Sequence, residues 1–308
     1  ETFPRDHVGE SLLPASMPVL AELGVLPAIE AAGFLPKYGA TMVWGSDPDP
    51  WSWYFRESSP RYPHSYQVVR AEFDKLLLEN ARVHGVDVRE GHHVLEVVGA
   101  ANVRVVDDER GEFTDRARFV VDASGQSGLI GRARGLRQSD PFFHNLAVYG
   151  YFDGAARLPD PDATNIFIES YAGGWLWMIP LHTGMASVGV VVDSIAGQAG
   201  IHELGVDRFY AEQVDQSFHT AGALRHATLA GTPTIVRDWS YSSTELAGEN
   251  HALVGDAACF VDPLFSSGVH LALSSGVLAA AYATSALKDR ELGRAAARVY
   301  AELYNQQY

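Results

Sequence analysis

The sequence has little cysteine and little lysine. Among its 308 residues there is one cysteine, Cys259, and only three of the 23 Lys and Arg residues are lysines. A single cysteine excludes an intrachain disulfide and is typical of a reducing compartment, so we expect a cytoplasmic location. The net charge of -15 at pH 7 disfavours nucleic acid and anionic membrane surfaces as partners, because both attract basic proteins.

Histidine patterning and hydropathy exclude two further classes. The twelve histidines are scattered, and His92 and His93 are the nearest approach to a pair. We therefore predict no metal site. The longest mostly apolar run, residues 269–287, contains several serines, one histidine and one glycine, which favours a buried core helix over a membrane span.

The order of predicted elements is α/β, then mostly β, then α/β. Apolar spacing predicts helices at residues 16–23, 26–32, 71–84 and 206–218, and from about residue 267. Between residues 145 and 241, alternating and β-branched runs predict strands at 146–152, 165–170, 175–181, 186–192 and 234–241. The fold class is therefore mixed α/β (α+β), with two domains of which the first is discontinuous.

The string VGDAACFVDPLFSSGVHLA, residues 254–272, predicts a strand, a loop and a helix start. Asp256, at the strand end, can accept hydrogen bonds from a sugar or ribityl hydroxyl. Gly268 lets a ligand approach backbone amides, and a helix N-terminus favours negative charge. An ordinary strand–turn–helix is the alternative interpretation. The whole string resembles the second flavin fingerprint of FAD-dependent aromatic hydroxylases, which implies FAD contacts at Gly255, Asp256, Pro263, Gly268 and Val269.

Two further segments resemble motifs of the same family. VVDASGQSGLIGR, residues 120–132, is similar to its middle motif and implies cofactor contacts at Asp122 and Gly125. Arg70, in YQVVRAEFDKLLL, stands where the family places an arginine on the FAD pyrophosphate. A surface arginine before a helix is the alternative.

The resemblance implies a hydroxylase-like fold with an incomplete first domain. Gly9 and Gly24 lack the context of a G-x-G-x-x-G turn, so we expect a βαβ unit of about 30 residues or more to be missing before Glu1. We likewise expect the C-terminal helical region to be cut short at Tyr308. The predicted Rossmann-like FAD-binding domain comprises residues 1–37, 66–140 and 246–308. The predicted, mostly antiparallel substrate domain comprises residues 38–65 and 141–245.

The stretch GGWLWMIP, residues 173–180, places two indoles on one short strand. Trp175 and Trp177 share a face because strand side chains alternate, and core packing is one explanation. A glycine pair, which a close approach to a cofactor would need, precedes the indoles, and SVGVVVD follows the stretch. The whole pattern resembles the signature of flavin-dependent halogenases. The resemblance implies that the indoles keep the substrate from the flavin, so that hypohalous acid carries the oxidant.

Lys37 is surrounded by apolar and aromatic residues in GFLPKYGATMVWG, whereas Lys75 and Lys288 lie on helical stretches with charged neighbours. A snorkelling lysine is one interpretation. Because it follows the Gly-Glu-Ser segment of HVGESLLP, the halogenase resemblance implies that Lys37 is the catalytic lysine. Its amine can hydrogen-bond HOCl or form a chloramine, which an arginine does not readily do at neutral pH.

The resemblance also suggests a branch and a reaction. Halogenases acting on free tryptophan carry a Glu where this chain has Phe265, which favours the phenol or pyrrole branch. The helix start at Ser267 and Gly268 is the expected chloride or bromide site. Reduced FAD from a separate flavin reductase, O₂ and halide would then halogenate a small aromatic substrate, free or tethered to a carrier protein, in the biosynthesis of an antibiotic or another natural product. The alternatives are a flavin hydroxylase or reductase of the same fold, and a non-catalytic fragment unable to hold FAD.

Overall fold

The computed structural model describes residues 2–99, 101–140, 142–237 and 240–307. The helices are α1 Met17–Glu22, α2 Leu26–Ala31, α3 Arg70–Val83, α4 Leu129–Ala133, α5 Ser194–Leu204, α6 Val206–Asp215, α7 His219–Leu224, α8 Gly268–Lys288 and α9 Arg290–Asn305. The strands are β1 Leu35–Lys37, β2 Gly39–Val43, β3 Trp51–Tyr54, β4 Ser65–Gln67, β5 His93–Val98, β6 Asn102–Asp107, β7 Gly111–Arg116, β8 Val120–Asp122, β9 Arg137–Ser139, β10 Asn145–Asp153, β11 Ile166–Tyr171, β12 Gly174–Pro180, β13 Met185–Asp193, β14 Thr228–Val236, β15 Tyr241–Ser243, β16 Ala247–Gly248 and β17 His251–Leu253. Of the predicted strand 234–241, residues 238 and 239 lie outside the described residues.

The chain divides into two compact units. Their segments are Glu1–Asp6, Leu77–Pro141 and Ser240–Tyr308 for the first, and His7–Leu76 and Phe142–Trp239 for the second. These units place residues 7–37 and 66–76 differently from the predicted domains. The functional division into cofactor and substrate domains stays a prediction.

A long sheet organises the second unit. In the described ranges it has seven strands in the order β14-β10-β13-β12-β11-β2-β3. Every neighbouring pair is antiparallel except β11 with β2, which confirms the prediction of a mostly antiparallel sheet. Alternation sends Leu176 and Val190 to one face, where they pack against Phe209 and Tyr210 of α6 in a buried cluster. The opposite face carries Trp175 and Trp177 of β12.

The first unit combines small sheets with two long helices. β17 pairs with β8 in parallel and with β16 antiparallel, whereas β5, β6 and β7 form an antiparallel meander. Helices α8 and α9 pack beside these strands, and Tyr300 and Tyr304 of α9 reach the backbone carbonyls of Leu253 and Gly255. The helix α9 therefore fixes the end of β17, where the cofactor motif begins.

Helix α8 is rich in apolar residues, with His270 and several serines among them. Among the described residues it is the one helix long and apolar enough to cross a membrane by length and composition, and most of it is not buried within the protein. Its buried residues are Leu271, Ser275, Ala279 and Tyr282. Their spacing of three and four places them on one face, and only this face fits the predicted core helix.

Candidate active site

Gly255 and Asp256 follow β17 after one intervening residue, Val254. Residues Gly255–Ala257 form a 3-10 turn, held because the Gly255 N–H donates to Ser275 Oγ at 3.0 Å. The Tyr241 hydroxyl donates to the Asp256 carbonyl at 2.6 Å. These bonds fix Asp256, half-buried, at the strand end where the sequence predicts it. Its contact with a flavin stays a prediction.

The segment before α8 is shaped by local capping. Asp262 accepts a hydrogen bond from the Leu264 N–H at 2.9 Å and so starts the 3-10 turn Pro263–Phe265. Ser267 is the N-cap of α8 but its side chain makes no capping hydrogen bond. A Cβ on Gly268 would meet only one atom within 4 Å, Phe260 Cε2 at 3.7 Å.

The start of α8 is therefore open to a small anion or a planar ring. The half-buried Val269 belongs to the same first turn. Backbone amides at a helix start attract negative charge, so the geometry is compatible with the predicted halide and flavin contacts at Ser267, Gly268 and Val269. Those contacts stay predictions.

Asp122 is committed to its own loop. Its Oδ1 accepts hydrogen bonds from the Ser124 amide at 3.1 Å and the Ser124 hydroxyl at 2.6 Å. Its Oδ2 accepts from the Ile130 amide at 2.7 Å, at the start of α4. Gly125 follows with φ 63°, which favours glycine, and a Cβ there would meet nothing within 4 Å. The visible role of Asp122 is to hold this loop, and a direct cofactor contact stays a prediction.

Arg70 is the first residue of α3, and its guanidinium is hydrogen-bonded to other residues of the protein. Nε and Nη2 donate to the two oxygens of Asp74 at 2.9 and 3.0 Å, and Nη1 donates to the Val8 carbonyl at 2.9 Å. The side chain is 13% exposed. Arg70 thus fastens the segment around Val8, and the pyrophosphate contact stays a prediction.

The loops of the first unit fit an FAD molecule on one structural criterion. Among the residues that the structure describes, no side chain occupies the space where a Cβ of Gly125 would point, and the space beside Gly268 is nearly as open. A cofactor could therefore approach backbone at both loops.

Lys37 is fully buried in the second unit. It pairs with Ser65 across β1 and β4 and is 1% exposed. Its amine donates to the Leu12 carbonyl at 3.1 Å and lies 5.2 Å from the centroid of the Phe55 ring. Burial lowers the pKa of Lys37 to about 7. A snorkelling lysine would keep its amine in water, whereas this amine is buried, and its lowered pKa favours the neutral form more than in an ordinary lysine.

Trp175 and Trp177 lie side by side on β12. Their ring centroids are 6.0 Å apart, and the residues are 8% and 5% exposed, so the predicted shared face is present. The Trp177 Nε1–H donates to Ser187 Oγ at 3.2 Å. The centroids of the Tyr149 and Trp177 rings are 6.4 Å apart. Protein atoms alone bury both indoles, so packing is part of their role.

The glycine pair before them has a cause within the protein. A Cβ on Gly174 would lie 2.0 Å from the Val191 carbonyl oxygen, and one on Gly173 would lie 2.9 Å from the Tyr171 ring. Close approach of neighbouring strands therefore explains these glycines. The interpretation that the pair also allows a close approach to a cofactor stays a prediction.

Glu10 is the functional candidate that the sequence analysis did not single out. It is 1% exposed, and its Oε1 accepts a hydrogen bond from the Tyr151 hydroxyl at 2.8 Å. Burial raises the pKa of Glu10, partly offset by hydrogen bonds that include those from Tyr151 and Ser187. An acidic residue between Val8 and Leu12 in HVGESLLP is a signal that could have been noticed.

Within the described ranges, no group of three or more His, Cys, Asp or Glu side chains could hold a metal ion.

The model of the tryptophan halogenase family matches residues 56–308. The chain belongs to this family. Its members among the similar proteins include the tryptophan 2-halogenase of Chondromyces crocatus, 36% identical over 313 residues, covering 98% of this chain and 58% of the relative.

Other relatives and solved structures agree in fold. The 1H-pyrrole-2-carbonyl-[peptidyl-carrier protein] chlorinase of Pseudomonas fluorescens is 34% identical, with 96% of this chain and 71% of the relative covered. The myxobacterial chondrochloren halogenase CndH, a variant of the FAD-dependent halogenases, superposes with a TM-score of 0.95 at 40% identity. That match covers 100% of this chain and 72% of CndH. The hydroxylase-like, mixed α/β fold is thereby confirmed, in a chain that spans between about half and three quarters of these relatives.

Proposed function

We propose that the protein is a flavin-dependent halogenase that uses reduced FAD, O₂ and chloride or bromide to halogenate an electron-rich aromatic ring. The observation that carries the proposal is the buried amine of Lys37, whose pKa burial lowers to about 7. Family membership and the named activities of CndH and the other relatives support it. The Trp175 and Trp177 pair on the same unit's sheet adds the separating element that such chemistry needs.

FAD would be held by backbone and side chains of the loops described above. The residues are Arg70, Asp122, Gly125, Gly255, Asp256, Pro263, Gly268 and Val269. When bound in reduced form and supplied with O₂, FAD provides the oxidising power that turns halide into hypohalous acid. Ser267 and Gly268 would hold the halide through amides at the start of α8. A separate flavin reductase would supply the reduced cofactor.

The Lys37 amine then accepts the halogen. In its neutral form, Nζ attacks the chlorine of HOCl, the O–Cl bond breaks, and the departing hydroxide takes a proton from Nζ to give water and a chloramine. A ring carbon of the substrate next attacks the chlorine and the N–Cl electron pair returns to nitrogen. The ring proton then passes to this nitrogen, which restores the neutral amine and the aromatic ring. The alternative is that the protonated amine hydrogen-bonds HOCl and polarises it.

The pH dependence of chlorination separates the two forms of this step. Because the pKa of Lys37 is about 7, the neutral amine prevails above that pH and the ammonium below it. Chloramine formation predicts that chlorination falls as the pH drops below about 7. Hydrogen bonding by the ammonium predicts the opposite pH dependence, in which chlorination falls as the pH rises above about 7.

The proposed substrate is a phenol or a pyrrole. Phe265 is 64% exposed and replaces the acidic residue that the tryptophan-acting branch would use to help activate an indole. A phenol needs less help because its own oxygen activates the ring. The named pyrrole chlorinase acts on a substrate bound to a peptidyl carrier protein, so we propose a small aromatic compound, free or tethered, in natural-product biosynthesis in the cytoplasm.

The test is product mass under controlled halide. The protein is supplied with FAD, a flavin reductase, O₂ and a set of phenols and pyrroles, free and carrier-bound, with chloride, bromide or neither. A halogenase gives products in which halogen replaces hydrogen, and Lys37→Ala abolishes them. Lys75→Ala is the matched control, because Lys75 is exposed on α3.

The rival functions give different results in the same assay. A hydroxylase gives oxygenated product without halide, and a non-catalytic fragment shows no binding in a flavin titration. Normal chlorination by Lys37→Ala contradicts the proposed lysine role.

A further inference from the structure

Arg137, the first residue of β9, is a half-buried cation with no role in the proposed halogenation steps. Its Nη1 donates at 2.8 Å to the carbonyl of Gln126, in the loop Gly125–Gly128, called the middle-motif loop below. Its Nε and Nη2 are buried and have no hydrogen-bond partner in the part of the chain that the structure describes. Burying a charged group without partners is unfavourable, so its other surroundings must compensate for the charge.

The ring of Tyr241 provides this compensation. Arg137 Cζ lies over the Tyr241 ring, 3.7 Å from its centroid, and Tyr241 is 2% exposed. Strands β9 and β15 are antiparallel and pair Arg137 with Ser243, so Arg137 and Tyr241 are diagonal neighbours, within reach of long side chains. A guanidinium over an aromatic face is attracted to it, most strongly where water is excluded.

Strand β15 connects this contact to the turn that contains Asp256, called the GD turn below. The Tyr241 hydroxyl donates to the Asp256 carbonyl at 2.6 Å, and the Ser243 hydroxyl donates to the Ala258 carbonyl at 2.7 Å. The backbone amide and carbonyl of Tyr241 are also hydrogen-bonded to the backbone of Phe260. The ring beneath the guanidinium is thus fixed to the GD turn and to the residues after it.

Gly128 shows how closely Arg137 fits against the middle-motif loop. Its φ is 53°, and a Cβ there would lie 2.3 Å from Arg137 Nη2 and 3.8 Å from the Ala257 carbonyl oxygen of the GD turn. A side chain at position 128 is therefore incompatible with the present position of the guanidinium. Arg137 contacts the middle-motif loop directly and reaches the GD turn through Tyr241.

We propose that Arg137 is a positioning residue that holds the middle-motif loop and the GD turn in one arrangement through the Tyr241 ring. It does not touch the reacting atoms. The consequence for FAD rests on the proposed function, in which Gly125 on the loop and Asp256 on the turn both contact the cofactor. The link between the two segments does not depend on that function.

Amide hydrogen exchange in the protein without FAD tests the link directly. The Gly128 amide donates to the Gly125 carbonyl, and the Ala258 amide donates to the Gly255 carbonyl, so each amide reports opening of its own segment. Arg137→Met should speed exchange of both amides by about tenfold, because losing a cation–π contact changes an opening equilibrium by roughly that factor. Amides of β6 and β7 should exchange as in the parent, whereas a general loss of stability would speed them as well.

A double variant and a matched control test the role of the aromatic ring. Tyr241→Leu should also speed both amides, and Arg137→Met/Tyr241→Leu should be no faster than the faster single variant, because the two side chains form one contact. Arg110→Met is the control, since Arg110 lies over the Phe113 ring at 5.7 Å in another sheet and should leave both amides unchanged. An unchanged Ala258 amide in folded Arg137→Met, or independent effects in the double variant, overturns the proposal.

If Arg137→Met does not fold, Gly128→Ala decides, because its new methyl group would displace the guanidinium. Gly135→Ala is its control, since Gly135 also has a positive φ, 66°, but a Cβ there would meet nothing within 4 Å. Faster exchange of the Ala258 amide in Gly128→Ala than in Gly135→Ala supports the proposal. Equal exchange of this amide in the two variants overturns it.

A flavin fluorescence titration of the same variants separates the link from its consequence for FAD. Arg137→Met should weaken FAD binding by up to about tenfold, the factor by which the link favours the present arrangement. Faster exchange at both segments with unchanged FAD affinity supports the link and contradicts the proposed FAD contacts of Gly125 and Asp256. A parent protein that binds no FAD contradicts the proposed function, and the exchange rates then still decide whether Arg137 holds the two segments together.

Discussion

The indole of Trp177 lies directly over the backbone of Gly189 on the neighbouring strand. A Cβ placed on Gly189 would be 2.1 Å from Cζ2 of the indole and 2.3 Å from Cη2. The two residues are register partners across β12 and β13. A side chain of any size at position 189 is therefore incompatible with the present position of the ring.

Gly189→Ala should displace the Trp177 ring and destabilise the fold by about 1–3 kcal/mol, the usual effect of overpacking a core. Urea unfolding measures the loss, and the Trp177 Nε1–H cross-peak reports the displacement. Gly222→Ala, on α7, is the control, because a Cβ there would meet nothing within 4 Å. Equal stability of the two variants would contradict the observed approach of ring and backbone.

Lys37→Met should stabilise the protein below about pH 7, and the gain should shrink as the pH rises. Burial lowers the pKa of Lys37 to about 7 in the folded protein, against the ordinary lysine value of 10.5. Between these values the unfolded chain holds a proton that the folded chain lacks, so the contribution of Lys37 to stability rises with pH. Below about pH 7 both states are protonated, and the burial penalty is at its full value of at most about 5 kcal/mol.

Urea unfolding of parent and variant at several pH values between about 6 and 9 checks this expectation. Lys75→Met is the control, because Lys75 is exposed and should show no such trend. A stability difference between Lys37→Met and parent that is constant across this range would rule out the lowered pKa.

Local sequence rules account for much of what was predicted correctly. Strand alternation is a local property, and it was enough to place Trp175 and Trp177 on one face. The apolar neighbours of Lys37 likewise pointed to an unusual lysine. Helix α5 escaped prediction because Gly197 and Gly200 lower helix propensity, while the Asp193 side chain caps it by accepting from two of its amides.

The remaining features depend on contacts far apart in sequence. The bond between Glu10 and Tyr151 joins residues 141 positions apart, and the partner of Trp177 is decided by the register of β12 on β13. The need for glycine at position 174 likewise comes from the Val191 carbonyl. Periodicity carries no information on strand register between distant segments, so these relationships required the fold.

Asp256→Ala and Asp122→Ala should separate cofactor binding from loop stability. Losing a charged hydrogen bond costs about 1.5–3 kcal/mol, so Asp256→Ala should weaken FAD binding by roughly ten- to a hundredfold with a small change in melting temperature. Asp122→Ala removes acceptors of three hydrogen bonds from Ser124 and Ile130, so it should lower the melting temperature. Flavin fluorescence titration and thermal unfolding measure the two effects. Unchanged FAD affinity in Asp256→Ala would refute its proposed role.

Trp177→Ala tests whether the tryptophan pair separates substrate from flavin. Because Trp177 is 5% exposed, truncation opens a cavity and should destabilise the protein by about 3–5 kcal/mol. The separating role also predicts a change in the molecules that remain folded. They should leak hydrogen peroxide or give a trace of hydroxylated product, because the opened path lets substrate and oxidant meet.

Phe167→Ala is the control, because Phe167 is buried in the cluster on the opposite face of the same sheet. It should lose comparable stability without new products. If Trp177→Ala, normalised to its folded fraction, gives the parental ratio of peroxide to chlorinated product, the indole is core packing and the separating role is wrong.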